Sequence, residues 1–358
     1  MKTKLVALLM VILMVAAMAT ACGNPAEEQP EQSPQATDQE QQPEDEQQTE
    51  QPQEMEKVTF RLNYLATGLH APYYVALEKG YYEEVGLDVT IAEGTGSGTT
   101  AKLVGMGTDL IGQSDFASVA AAVTQGIPVR VVCPIYKFNG FSIITLEENG
   151  IESPKDLEGK DVGIATGDGP SKLWEGVVKA NDIDESKVNY VTMGAESKVG
   201  ALVTGQVDAI LAGADNDALQ VTAKGGNVKV LRYADFGVPT VGLSLIASND
   251  AIENNTETIR KFIAASLKGW DDARKDPDGA VAIFQQYIPN VDTDLARGGL
   301  DAALASLFTE SSATISDVSS EEWEVSVQLL RDYMELDDSF PADTLYTTVC
   351  MPEELPAK

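Results

Sequence analysis

The sequence predicts an α/β protein of two lobes, each a mainly parallel sheet covered by helices. Three observations carry this. Short apolar runs of strand length alternate with helical patterns at the spacing of strand–helix–strand units. The pattern of one such unit occurs twice: Leu103-Val104-Gly105, Asp109-Leu110-Ile111 and Ser114-Asp115 return, with one-residue slips, as Leu202-Val203-Thr204-Gly205, Asp208-Ala209-Ile210 and Ala214-Asp215. Finally, about 300 residues follow a polar N-terminal stretch, enough to bury two substantial cores.

The first segments concern targeting rather than fold. Lys2 and Lys4 precede an apolar run over residues 5–18, followed by Ala19-Thr20-Ala21-Cys22-Gly23. The run is shorter than the roughly 20 residues a spanning helix needs, and the small residues before one Cys read as a secretory signal. It resembles a bacterial lipoprotein signal, which implies removal of residues 1–21 and lipidation of Cys22, for example with palmitate. Each buried methylene of such a chain contributes about 0.8 kcal/mol to anchoring. The alternative is an ordinary secreted protein in which Cys22 is incidental. Residues 22–56 are expected to form an acidic tether. Residues 24–56 hold eleven acidic side chains, no basic one and almost no aliphatic one. Such a segment cannot offset its ordering entropy by burial, and self-repulsion and proline extend it.

Strands are then expected at residues 58–64, 87–92, 109–113 and 129–135, with helices at 71–84, 99–105 and 116–125 between them. Pro72 suits a first helical turn, and Gly80 falls where the apolar pattern stops. Residues 141–146 open a second series, with strands at 161–165, 188–192, 208–211 and 228–231 and helices at 171–181, 196–204 and 217–224. After residues 237–247 the pattern is helical almost to the end. In each series a strand ends at an Asp that leads into a helix. Ligands of open α/β sheets collect beyond the carboxyl ends of strands, so these turns are the candidate site.

The stretch EGTGSGTT, residues 93–100, follows a strand and opens a helix. Its glycines let backbone amides approach a ligand, and a helix N-terminus favours a negative group or an acceptor. Gly96, Ser97, Gly98 and Thr99 are candidate contacts; the alternative is a turn capped by Ser97 or Thr99. The stretch lacks the Gly-Lys-Ser/Thr ending of a phosphate-binding loop, which argues against nucleotide hydrolysis. Its counterpart in the second lobe is read as TGDGPS, residues 166–171, with Asp168 and Ser171 as candidates. Ser114 and Asp115, and Asp215 and Asn216, either cap helices or bond a polar ligand. Asn63, Tyr64 and the single histidine, His70, bracket the first strand-to-helix loop. Tyr64, Tyr73, Tyr136 and Trp174 are possible aromatic faces; of the adjacent Tyr73 and Tyr74, one belongs to the core. Trp174 faces either the cleft or the core.

The run APYYVALEKGYYEEVGLDV, residues 71–89, closely resembles the solute-binding proteins of ABC importers for thiamine-pyrimidine precursors, riboflavin, nitrate or sulfonates. The resemblance continues through SPKDLEGKDVGIATGDG, residues 153–169, to GQVDAI, residues 205–210. It implies a periplasmic-binding-protein-like fold of type II, with two parallel-type sheets, helices on both faces and a two-crossover hinge near residues 136–141 and 236–242. The domains implied are residues 57–140 plus 241–340 as lobe 1, 141–240 as lobe 2, and 341–358 as a C-terminal extension. The pyrimidine-precursor branch tends to carry a histidine before APYYVA, which strengthens His70 as a contact. The resemblance extends to fungal pyrimidine synthases, which use a histidine in this loop and a cysteine-rich motif; this chain has no cysteine cluster.

Composition narrows the classes further. Of the net charge of −31, eleven negative charges lie in residues 24–56 and two positive ones in the signal, which leaves −22 for residues 57–358. That field repels nucleic acid and gives an anionic solute no long-range attraction. One histidine and scattered serines make neither a catalytic triad nor a metal-ligand set. Export permits a disulfide between Cys133 and Cys350, although Cys133 in a strand-like run also suits a free, buried thiol. The expectation is a monomeric extracytoplasmic lipoprotein without cofactor or catalysis. It closes two lobes on a planar heteroaromatic, such as a thiamine-pyrimidine precursor, and presents it to an ABC permease. A sulfonate, taurine or nitrate ligand is the alternative, and a structural or adhesion lipoprotein without ligand is a second one.

Overall fold

The computed structural model describes residues 55–358, apart from 167, 309–311 and 335–340. The expected signal, Cys22 and nearly all of the tether lie outside the described residues. Strand β1 (Glu56–Arg61) begins at the residue expected to close the tether, and buries Val58 and Phe60. One predicted helix is divided into α1 (Ala71–Glu78) and α2 (Tyr81–Glu84). Gly80 separates them with φ at 72°, a left-handed conformation in which glycine has no Cβ to clash. Next come β2 (Leu87–Ala92), α3 (Ser97–Gly105), β3 (Ile111–Asp115), α4 (Phe116–Thr124) and β4 (Val129–Pro134).

The second series comprises β5 (Phe141–Leu146), β6 (Asp161–Ile164), α5 (Gly169–Ala180) and β7 (Asn189–Thr192). It continues with α6 (Lys198–Val203), β8 (Ala209–Gly213), α7 (Asp217–Ala223) and β9 (Val228–Arg232). Then β10 (Leu243–Ser248) precedes α8 (Asn249–Asn254), α9 (Thr256–Lys275), α10 (Pro277–Tyr287), α11 (Thr293–Ala305) and α12 (Ser320–Met334). None of the described helices is long and apolar enough to cross a membrane.

The strands form two five-stranded sheets of the same connectivity, β2-β1-β3-β10-β4 and β7-β6-β8-β5-β9. Both are mainly parallel, as expected, with one antiparallel strand in each. β10 runs antiparallel to β3 and β4, and β5 runs antiparallel to β8 and β9. Each arrives from the other sheet by a crossover that enters at the carboxyl ends of the parallel strands, so it can only run back along them.

Aromatic packing anchors α1 and α9 to the first sheet. Phe60 lies 4.7 Å from Tyr73 and 5.0 Å from Phe262, centroid to centroid, and Trp270 meets Tyr73 edge-on at 5.7 Å. Such pairs contribute about 0.5–1.5 kcal/mol each beyond area burial. Tyr74 is also core: it packs on Phe284 at 5.2 Å, on the side away from Tyr73. Neighbouring residues of a helix diverge, and here each finds an apolar cluster.

A continuous apolar cluster joins the two sheets outside the cleft. It includes Phe116 and Val119 of α4, Leu173 and Val177 of α5, and Trp323, Val327 and Leu330 of α12. The crossovers pair with each other: Asn139 N–H donates to Thr240 O at 2.8 Å and Gly242 N–H to Tyr136 O at 3.1 Å. Helix α12 holds both. Lys137 Nζ is 2.8 Å from Glu322, and Val241 N–H donates to Ser326 Oγ at 2.9 Å. The C-terminal segment returns to the edge of the first sheet, where Val131 N–H donates to Leu345 O and Thr347 N–H to Val131 O, both at 2.9 Å. Cys133 and Cys350 are both buried and free; Cys133 Sγ lies 3.2 Å from Ser316 Oγ instead.

Candidate functional site

The carboxyl ends of the parallel strands of both sheets, with the two crossovers, enclose a cavity of about 660 Å³. A recess of this size holds a drug-sized ligand, since such pockets run to about 300–1,000 Å³. The β1–α1 loop contributes Asn63, Tyr64 and His70. His70 is fully buried, its Nδ1 accepts from Thr67 N–H at 3.0 Å, and its Nε2 lies 2.9 Å from Asn63 Oδ1. Because Nδ1 accepts, the proton sits on Nε2 and is donated to Asn63. Burial drives the imidazole down to about 3, so it is neutral. His70 was expected to bond the ligand. Both of its nitrogens are already engaged, and it instead fixes Asn63, whose Oδ1 is used and whose Nδ2 remains as a donor.

Gly96, Ser97, Gly98 and Thr99 line the cavity from the β2–α3 turn. Thr99 N–H is bonded to Gly96 O at 3.0 Å within the turn. Ser97 Oγ accepts from Asp115 N–H at 3.3 Å, and Ser114 Oγ donates to Ser97 O at 3.2 Å. Ser114 thus lies behind the wall and braces it. Asp115 caps α4 by accepting from Ser118 N–H at 2.8 Å through Oδ1, while its buried Oδ2 has no hydrogen-bond partner. Tyr136 reaches the cavity from the first crossover, 1% exposed, and its hydroxyl likewise lacks a partner.

In the second lobe, Asp168 caps α5 through Ser171 N–H at 2.9 Å and pairs with Lys198 Nζ at 2.7 Å. Lys198 also donates to Leu211 O at 2.6 Å and is 2% exposed. Asp215 and Asn216 line the cavity from the β8–α7 turn, beside Asp217. Burial raises Asp215 to about 6, and the neighbouring Asp217 charge pushes the same way. Asp217 is raised too, first by burial and against the pull of Lys198. Burial, with Asp217, Glu196 and Asp168 nearby, raises Tyr64 and keeps its phenol protonated.

Ser171 and Trp174 do not line the cavity. Ser171 serves through its backbone amide in the first turn of α5. Trp174 turns into the core, where its indole N–H donates to Tyr190 Oη at 2.6 Å and its ring packs 6.1 Å from Tyr233. Tyr73 is core as well, accepting from Gln113 Nε2 at 3.1 Å. Conversely, Phe141, Asn139, Glu196, Lys198 and Asp217 line the cavity without having been singled out as contacts. The sheet orders match β2 to β7 and β1 to β6. The counterpart of EGTGSGTT is therefore the β7–α6 turn with Met193, Gly194 and Glu196, and TGDGPS corresponds to the β1–α1 loop. The signal available was Met193-Gly194-Ala195-Glu196 standing between a strand and a helix. Gly167 of TGDGPS lies outside the described residues.

A family model described as NMT1/THI5 like matches residues 68–280. The riboflavin-binding protein RibY of Chloroflexus aurantiacus is 28% identical over 262 residues, 70% of this chain and 72% of that protein. A formylaminopyrimidine-binding protein of Halalkalibacterium halodurans is 28% identical over 235 residues, 65% and 71% of the two chains. A 4-amino-5-hydroxymethyl-2-methylpyrimidine phosphate synthase of Saccharomyces cerevisiae is 28% identical over 256 residues, 67% and 74%. In fold, the chain is similar to the periplasmic aliphatic sulphonate binding protein SsuA of Escherichia coli, with a TM-score of 0.65 at 16% identity over 78% of this chain and 92% of that one.

Proposed function

The chain belongs to the NMT1/THI5-like family, and on that premise we propose that it is the solute-binding protein of an ABC-type importer, taking a planar N-heteroaromatic such as a pyrimidine precursor. One observation carries the choice of ligand. Aromatic side chains, Tyr64, Phe141 and Tyr136, share the cavity with carboxylates, while its one lysine, Lys198, is held by Asp168. Rings stack on such walls, and amino groups of the ligand find acceptors in Asp115 and Asp215. The ligand closes the lobes by as much as it prefers the closed state. The riboflavin- and formylaminopyrimidine-binding relatives support a ring compound. The sulphonate-binding neighbour supports the fold alone.

The same features weigh against the rival readings. An oxyanion gains from the amides of Ser97 and Gly98 but meets the Asp115 carboxylate beside them. A pyrimidine phosphate, for which the fungal relatives are named, finds only a cation that is already paired. Catalysis is not expected: His70 is neutral with both nitrogens engaged, and Cys133 and Cys350 are buried away from the cavity. On the same reading the protein works outside the cytoplasm, anchored by a lipid at Cys22, as a monomer serving a membrane permease. Calorimetry with hydroxymethyl- and formylamino-pyrimidines, riboflavin, taurine and nitrate tests the ligand class. Tight binding of a ring compound is expected. Tight taurine or nitrate binding with no response to any ring overturns it, and the lack of any ligand-induced melting shift favours a ligandless adhesion role.

A further inference from the structure

The charges of the cavity are unevenly matched. Asp115, Asp168, Glu196, Asp215 and Asp217 line it against the single lysine, Lys198. Lys198 is spent: its ammonium bonds Asp168 at 2.7 Å and the Leu211 carbonyl at 2.6 Å, and almost none of it is exposed. His70 adds no charge, because Nδ1 accepts a backbone N–H and Nε2 donates to Asn63. Cancelling Asp168 against Lys198 leaves four carboxylates and no free cation among the groups lining the cavity.

The carboxylates are also placed to be used. Asp217 is anchored by Gly213 N–H at 3.1 Å and Asn216 Nδ2 at 3.0 Å. Asp215 is pressed against Gly213, where an added Cβ would stand 2.8 Å from its Oδ1, while one at Gly140 of the crossover would fall at ordinary contact distance, 3.8 Å from its Oδ2. The protein thus leaves side-chain volume out beside this carboxylate at Gly213. The titratable groups around it are Asp217 on its own turn, Asp168, Lys198 and Glu196 elsewhere in its lobe, Tyr64, His70 and Asp115 in the facing lobe, and Tyr136 on the crossover. Two of the polar groups at the cavity are buried without any partner: Asp115 Oδ2 and Tyr136 Oη. A desolvated acceptor and a desolvated hydroxyl are costly unless something bonds them.

We propose that the cleft takes its ligand as a cation: a planar N-heterocycle bearing a protonated aminomethyl or amidine-type group, received by Asp215 and Asp217, with Asp115 Oδ2 and the Tyr136 hydroxyl as further partners. The assignment rests on the heteroaromatic reading of the cavity and adds a charge state to it. N–H donors on a cation make the stronger, charge-assisted class of hydrogen bond with carboxylates. An anionic substituent on the same ring would sit among like charges in a poorly screened recess.

Three probes on one 4-amino-2-methylpyrimidine ring separate the possibilities: a 5-aminomethyl compound (cation), a 5-hydroxymethyl compound (neutral) and the phosphate ester of the latter (anion). Benzamidinium serves as a cation without the pyrimidine. By calorimetry at pH 7.5, the aminomethyl compound is expected to bind roughly tenfold or more tighter than the hydroxymethyl one, and the phosphate ester more weakly than both. In Asp215→Asn and Asp217→Asn, with folding checked by thermal melting, the cation-to-neutral ratio should fall toward one. A phosphate ester that binds as well as the neutral ring overturns the proposal, and so does a ratio unchanged in both variants. The two readings fail separately. Benzamidinium binding without any pyrimidine binding retains the cation site and rejects the pyrimidine. Hydroxymethyl binding without preference for the cation does the reverse. A cleft that binds none of the cations rejects the cation site outright.

Discussion

His70 and Asp215 give the protein two opposed responses to acid. His70 is neutral when folded, with its pKa near 3, but titrates near 6.5 once unfolded. Between those values the unfolded chain binds a proton that the folded chain refuses. The stability this contributes is complete above pH 6.5 and is lost progressively as pH falls toward 3. At pH 5 the loss is about 2 kcal/mol, from about 1.4 kcal/mol per unit. Asp215 has the other sign. Its folded value near 6 lies above the ordinary 3.8, so acidification from 6 to 3.8 favours the folded state. In His70→Gln, the difference in Tm from wild type should narrow between pH 7.5 and 5, because the variant lacks the titrating ring. A constant difference across that range would show that the ring does not resist protonation. For binding, a carboxyl near 6 is charged in about nine-tenths of molecules at pH 7 and one-tenth at pH 5. The affinity for an aminomethyl-pyrimidine cation should therefore fall roughly tenfold between them, as read by titration calorimetry, and Asp215→Asn should flatten that profile.

At the scale of elements, what could be read in advance depended on whether the deciding force was local. β2 was legible to the residue because a short apolar run and its turns fix a strand by themselves. The helix expected over residues 71–84 is broken at Gly80, where the apolar pattern stops, and the four residues of α2 beyond it stay helical with Tyr82 drawn into the core against Phe262, a contact far away in sequence. Trp174 was ambiguous because helical spacing places a residue on a face without saying what that face meets. The β7–α6 turn went unsingled because its role depends on strand order. His70, Asn63 and Tyr64 were legible as a group at the first strand-to-helix loop, and all three line the cavity; that His70 bonds Asn63 depends on backbone geometry. A prediction follows at the β6–α5 turn. A Cβ at Gly169 would stand 2.3 Å from Phe141 Cζ and 2.9 Å from Asp115 Oδ2. Gly169→Ala must therefore shift a cavity aromatic and a cavity carboxylate together. Ligand affinity should drop by about tenfold or more while Tm falls by only a few degrees, since about 1 kcal/mol moves Tm by roughly 2–4 °C in a domain this large. An unchanged Kd would mean that neither group touches the ligand.

Two features govern the whole molecule from outside the cavity. One is the anchor. Cys22→Ser should leave folding and ligand affinity intact and move the protein from the membrane fraction to the soluble extracytoplasmic fraction. Retention in the membrane after high salt and mild alkali would reject lipidation there. The other is α12, which is joined to one crossover through Lys137 and Glu322 and to the other through Val241 and Ser326, and which packs on α4 and α5 in both lobes. A hinge bound in this way resists bending like a leaf spring clamped at its middle. The work of flexing it is set by a helix that the ligand never meets, so how long a solute stays aboard can be tuned without altering which solute is chosen. Glu322→Gln weakens one clamp while keeping its shape. In stopped-flow measurements it should speed release severalfold for every ligand in the panel and leave their order of preference unchanged. A reordered preference would mean that α12 reaches the cavity itself. An unchanged release rate would mean that the hinge bends elsewhere. If the spring holds, anything that docks on α12 has a handle on the cargo that the cargo cannot feel.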